Sequence, residues 1–483
     1  MRIERARSTA PPGGPGRVRR TGGWRARPLV LMLMACGLTV VTRGDEPLRQ
    51  KIGQMIVVGL LGPTASDTLL ADLSVRNLGG VILSGANGNL KNPLQIQELT
   101  SRIRAAAATP PFIATDQEGG VVARLNASNG FAATVSAYTL GTTYASLDST
   151  RRQTAMMAGW LAASGFNVDF APVADVNVNP ASPAIGHYGR SFSASAATVA
   201  QHDRVFMDEC HAKNIMTALK HFPGHGSAGT DSHLSLPDIT ATWSAPELIP
   251  YTELVGAGAV DMVMVGHLFN AGIDSVYPSS LSRSTIQGLL RDSLGFSGVV
   301  ITDDLYGMKA ITDLYGIWDA AEKSINAGTD VLLYVSNTYN GSSLCRQLVD
   351  TLEARVLRGV IPETRINESF ARITALKARY PAVPAAVATD GGGTVPAGFA
   401  LLQNYPNPFN PATTLTYRLA ADAHVTLTVY DVLGRAVAVL ADEPRSAGVH
   451  TVRFDGSALA SGAYLYRLTA GTRTETRRML LIR

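Results

Sequence analysis

The stretch "NIMTALKHFPGHG", residues 214–226, decides how this chain is to be read. Asn214–Lys220 is nearly continuous in apolar and small residues, as a strand buried on both faces should be. It then stops abruptly at His221, where Phe222-Pro223-Gly224 forbids a helix and opens a loop. A buried strand ending in a lysine and a histidine, with a polar loop behind it, places chemistry at the carboxyl end of a parallel sheet.

Working outward, seven further runs have the same character: 55–60, 80–85, 111–115, 166–172, 260–266, 298–303 and 329–335. Amphipathic segments such as "NPLQIQELTSRIRAAA" and "WDAAEKSINAG" lie between them. Eight strands, each followed by helix or loop, predict an α/β fold of the (β/α)8 TIM-barrel type over residues 44–380. An open doubly wound sheet is the alternative. It calls for a glycine-rich phosphate loop after the first strand, for which "GLLGPT" is a poor candidate. A closing helix ends at Tyr380, and residues 381–398 form a Pro/Gly/Ala linker with nothing to bury. From Leu401 the pattern changes to period-two alternation in short segments, which predicts a small all-β, immunoglobulin-like sandwich over 399–483.

Composition narrows the function. Of 483 residues, 46% are hydrophobic and only 17% charged, a composition able to bury large cores. The formal charge of +4 hides an asymmetry: residues 1–28 carry eight Arg against Glu4, +7 in all, leaving −3 for the rest. That excludes an electrostatic case for nucleic acid as a partner. The Arg-rich start and the apolar run at 28–41 read as an export leader over 1–43, with Cys36 in a sequence resembling a lipoprotein processing site. Beyond the leader only Cys210 and Cys345 remain, too few for a disulfide framework and read as buried thiols.

The polar residues fall where the barrel reading needs them. "DQEGG" (116–120) follows the third run, "GRSFS" (189–193) the fourth, Lys220 and His221 end the fifth, His267 follows the sixth, and "TDDL" (302–305) ends the seventh. All five clusters therefore converge on one mouth. Asp303 reads as a catalytic carboxylate and Asp304 as a cap for the following turn. Asp116 reads as a ligand acceptor, Arg190 as a planar donor fork, and Glu118 as either a structural or a ligand group. His221, His225 and His233 are possible metal ligands, but "FPG" breaks the helix that would face them together, so neither a metal nor a cofactor is expected. Asp231 two residues before His233 instead suits a carboxylate that orients an imidazole for proton transfer. With Asp303 as nucleophile this forms a double-displacement pair for a glycosidic bond.

At these residues the sequence resembles glycoside hydrolase family 3, in its β-N-acetylglucosaminidase branch. "ATDQEGG", "FNVDFAPVADVNVNP", "GRSFS", "LKHFPGHG", "DSHLSLP", "MVGHL" and "VVITDDLYGM" carry the likeness across 48–380. The resemblance implies a retaining exo-glycosidase with Asp303 as nucleophile and His233, polarised by Asp231, as acid/base. It also implies sugar contacts from Asp116, Arg124, Arg190, Lys220 and His221. The family's usual Gly-Gly-Arg is Gly-Gly-Val here, at Val121, and His187 and Tyr188 stand in the sugar loop. Either departure bears on the partner beyond the N-acetylglucosamine ring, a peptidoglycan fragment or a chito-oligosaccharide. A phosphorylase is the alternative reaction, since an imidazole acid/base does not repel phosphate; a non-catalytic glycan binder is the alternative class. The tail, with "NYPNPFNP", resembles a type IX secretion sorting domain, which implies secretion machinery as a partner and a secreted or surface-attached protein. Tyr464 and Tyr466, on one strand face, read as core residues, with sugar stacking as the rival reading.

Overall fold

The computed structural model describes residues 46–380, 399–404 and 407–482. The leader expected over 1–43, including Cys36, and the linker expected over 381–398 lie outside the described residues. Among the described residues no helix is long and apolar enough to cross a membrane.

Eight parallel strands close a barrel in sequence order: β1 Ile56–Gly59, β2 Gly80–Ile82, β3 Phe112–Thr115, β4 Val168–Asp169, β5 Met216–Phe222, β6 Met262–Val265, β7 Val299–Asp304 and β8 Val331–Tyr334. Every residue of these strands is buried, because side chains fill the barrel on one face and meet the helices on the other. The helices form where the amphipathic pattern predicted them. One runs Pro93–Ala106, opened by Asn92, whose side chain accepts from the Gln95 amide, with Pro at the first turn. Another runs Ile317–Ala327 and stops at Gly328, whose φ of 120° suits a residue without a side chain. The crossover between β6 and β7 departs from this pattern, being a π-helical segment at Ser284–Ser293.

Two register irregularities fall at the carboxyl ends of strands. The β5–β6 ladder shifts between Leu219 and Phe222, and the β7–β8 ladder shifts beside Asp303. The Thr302 hydroxyl takes over the Leu333 amide there, at 3.1 Å. Such breaks re-aim side chains, and here they fall at Lys220, His221 and Asp303.

The C-terminal region forms two antiparallel sheets. Strands β9 Ala400–Leu401, β10 Ala412–Leu419 and β13 Gly448–Asp455 make one, in the order β9-β10-β13. The other contains β11 Ala423–Tyr430, β12 Ala436–Arg445, β14 Gly462–Ala470 and β15 Arg473–Leu481, in the order β12-β11-β14-β15. Alternate residues such as Leu415, Tyr417, Leu427, Val429 and Leu468 fill the space between the sheets. Tyr464 and Tyr466 belong to that core. The Tyr466 hydroxyl donates to the Leu402 carbonyl at 2.6 Å and accepts from the Asn404 amide at 2.6 Å, so neither ring is presented to a sugar. Cys210 and Cys345 are buried free thiols.

Candidate active site

The carboxyl ends of the strands surround a cavity of about 540 Å³. Asp116, Arg124, Arg190, Lys220, His221, Asp231, His233 and Asp303 all line it, so the eight residues singled out above come together.

The floor is an ion network. Lys220 reaches up from β5 to Asp116 at 2.9 Å and to Glu118 at 2.8 Å. Arg190 meets Glu118 edge-on, its Nε donating to Oε2 at 2.8 Å and its Nη2 to Oε1 at 2.7 Å. Its remaining Nη1 donates to the Ala184 carbonyl at 2.9 Å, so each of its three nitrogens is anchored. Glu118 lies on a short hairpin, Gln117–Gly119 paired with Val122–Ala123, turned by Gly119 and Gly120 at φ 99° and 62°. Burial works to raise its pKa, but the Arg190 and Lys220 charges outweigh that and hold the carboxyl well below the usual range. Burial pulls the cations down, but Glu118 raises Arg190, and Asp116 and Glu118 raise Lys220. Glu118 thus holds the two cations in place while itself lining the cavity. Arg124 approaches Asp116 from the rim at 3.7 Å. Beneath them burial pushes Asp169 up to about 8, so it stays protonated at neutral pH and adds no charge to the floor.

The two aspartates at the end of β7 are separated by their bonding. Asp304 accepts from the amides of Tyr306, Gly307 and Val335 at 2.9, 2.6 and 3.0 Å, which makes it the cap of the following turn and a tie to β8. Asp303 accepts from the Asp304 amide at 2.8 Å and remains 8% exposed toward the cavity. Burial works to raise its pKa, but the nearby His221, His267 and Lys220 and that amide bond outweigh it and hold the carboxyl below the usual range, so it is ionised at neutral pH. His267 is buried between Ser280, at 2.7 Å, and the Asp304 carbonyl, at 3.0 Å. It supports the end of β7, and burial lowers its pKa.

The histidine loop is built differently. His233 Nδ1 meets Asp231 Oδ1 at 2.8 Å, and the His233 amide donates to the same oxygen at 2.9 Å. Its side chain is 65% exposed, and Nδ1 is the ring nitrogen that the carboxylate holds. Asp231 is pulled below the usual carboxylate range: partial burial acts the other way, and the His233 amide and ring outweigh it. The three histidines of this stretch do not share a centre. His221 is committed through Nδ1 to Asp175 at 2.7 Å, and His225 is buried, with its pKa lowered to about 4. Among the described residues no group of three or more His, Cys, Asp or Glu is placed to hold a metal ion. Asp175 is the residue that the sequence reading passed over; an acidic side chain just past the fourth strand was the available signal.

The comparisons with known proteins follow this geometry. Residues 47–376 match the glycosyl hydrolase family 3 N-terminal domain, and residues 403–482 match the secretion system C-terminal sorting domain. The second match indicates that the protein is exported, either secreted or held at the cell surface. The beta-hexosaminidase A of Pseudoalteromonas piscicida is 33% identical over 65% of this chain and 56% of its own length. Beta-hexosaminidase LpqI of Mycobacterium tuberculosis is 30% identical over 69% of this chain and 83% of its own. A glycoside hydrolase family 3 beta-N-acetylglucosaminidase structure from Paenibacillus sp. str. FPU-7 superposes with TM-score 0.65 at 34% identity, covering 72% of this chain and 64% of that one. This chain thus spans less than two thirds of the Pseudoalteromonas and Paenibacillus proteins. With a match covering most of its length and the barrel to accompany it, the chain belongs to glycosyl hydrolase family 3.

Proposed function

We propose that the protein is an exported, retaining exo-β-N-acetylglucosaminidase that releases terminal N-acetylglucosamine from peptidoglycan fragments or chito-oligosaccharides. One observation carries this: an ionised, mostly buried Asp303 and a carboxylate-oriented, exposed His233 line the same cavity. The relatives named beta-hexosaminidases and the Paenibacillus beta-N-acetylglucosaminidase support the substrate class.

In the first step an Asp303 carboxylate oxygen bonds to the anomeric carbon while the glycosidic C–O bond breaks. His233, protonated on Nε2 and held through Nδ1 by Asp231, gives its proton to the departing oxygen. In the second step water gives a proton back to His233 and its oxygen displaces Asp303, restoring the original anomeric configuration. Asp116, Arg124, Arg190, Lys220 and His221 hold the sugar. Because Glu118 already fixes Arg190 and Lys220, substrate binding need not order them.

The test is trapping with a fluorinated N-acetylglucosaminyl fluoride, followed by peptide mapping and assignment of the released anomer. The label is expected on Asp303 and the product as the β-anomer. A label elsewhere, or an α-product, overturns the reading. Release of sugar 1-phosphate as the main product when phosphate is added would replace hydrolysis by phosphorolysis, the reaction that a neutral imidazole acid/base leaves open.

A further inference from the structure

Asp175 follows β4 and is fully buried, yet neither the proposed mechanism nor any sugar contact uses it. Its two oxygens are divided between different tasks. Oδ1 accepts two backbone amides, His225 at 2.7 Å and His221 at 3.2 Å. Oδ2 faces His221 Nδ1 at 2.7 Å. The first pair fixes the carboxylate in place; the second fixes the ring. An ionised carboxylate only accepts, so Nδ1 must carry a proton, and in the neutral ring Nε2 is left as an acceptor. That atom lies 3.5 Å from Arg190 Nη2, a donor, and His221 lines the cavity.

We propose that Asp175 is a positioning residue: it sets the tautomer of His221, so that the single lone pair of Nε2 is presented as an acceptor, to Arg190 or to a sugar hydroxyl that takes its place. This rests on the glycosidase reading only in that the ligand is a sugar. Titratable groups on each neighbouring element interact electrostatically with the carboxylate. His221 and His225 approach from β5 and its loop, Arg190 from the loop after β4, Asp203 from the helix Ala196–His211, and Glu247 and Tyr251 from the segment before β6. Burial works to raise the Asp175 pKa, and the His221 and His225 interactions outweigh it, so it is ionised. Asp203 is pushed well above the usual carboxylate range by burial and by Asp175 itself.

The substitution Asp175→Asn separates the two tasks. The amide oxygen at the Oδ1 position keeps both backbone bonds. The NH2 group then faces His221 Nδ1, which must turn acceptor and move its proton to Nε2. There an N–H meets Arg190 donor to donor, and the hydroxyl-accepting atom is lost. The Asp175→Asn protein is expected to melt within a few degrees of wild type. Its kcat/KM on an aryl β-N-acetylglucosaminide should fall by about 10- to 100-fold, as when the outer partner of a functional imidazole is lost, most of it in KM. In a His221→Ala background the same change should cost less than threefold, because the residue through which Asp175 acts is gone. Nitrogen-15 spectra should show the His221 proton on Nδ1 in wild type and on Nε2 in the variant. An unchanged tautomer, or an undiminished loss in the His221→Ala background, overturns the proposal. Wild-type turnover of the aryl substrate tests the glycosidase reading separately, so failure of one is distinguishable from failure of the other.

Discussion

On the cavity floor Glu118 takes three charge-assisted bonds from two cations, one buried and one half-buried, whereas on the wall His233 has one carboxylate partner and a side chain that is 65% exposed. The floor is built to be rigid: each cation has several fixed acceptors, and charges out of water hold their geometry strongly. The loop leaves its imidazole open to solvent and to the cavity. His225, eight residues earlier and buried, shows the difference, its pKa lowered to about 4. One short stretch therefore supplies both a solvent-facing imidazole, the proton carrier of the proposed mechanism, and a neutral ring sealed in the interior, and burial decides which is which.

That contrast can be broken in several places. Replacing Asp303 by Ala removes the proposed nucleophile from the floor, and turnover of every β-N-acetylglucosaminide should fall by about 10⁴-fold or more, measured as kcat. Replacing His233 by Ala on the wall should cost about 10²- to 10⁴-fold with poor leaving groups and much less with acidic phenols in the glycosylation step, read as a steeper dependence of rate on leaving-group pKa. Equal losses across leaving groups would remove His233 from the acid's role. The Glu118→Gln change strikes the floor's structure. It leaves Lys220 and Arg190 short of a buried charge and should destabilise the fold by about 3–5 kcal/mol, seen in thermal or denaturant unfolding.

The pH dependence of that last effect has a definite sign. Glu118 is ionised in the fold with its pKa lowered, so its contribution is fully present above the ordinary glutamate value. It declines as the pH falls below about 4.5, and the stability gap between wild type and Glu118→Gln should narrow there. The smallest effect is expected from chelators. Proton transfer and a carboxylate nucleophile need no metal, and prolonged treatment with EDTA should leave the rate unchanged within error.

How far the sequence carried the reading differs between these regions. The eight strands were legible because strands covered on both faces must be apolar nearly throughout, a pattern that no surface residue interrupts. The sandwich strands were legible for the complementary reason, one face in and one out. The pairing of Asp231 with His233 was legible because the two are neighbours in the chain. What each remaining polar residue does was not. Asp303 and Asp304 are adjacent and chemically identical, and it is the Val335 amide from β8, together with those of Tyr306 and Gly307, that claims Asp304 for the turn.

From sequence alone, then, came the architecture, the common mouth and the short-range dyad, since all three depend on local periodicity and on the direction of parallel strands. Only the tertiary structure assigned Glu118 to Lys220 and Arg190, and Asp175 to His221. Those partners lie tens of residues apart, and the strength of a charged hydrogen bond is set by the burial that closing the barrel imposes.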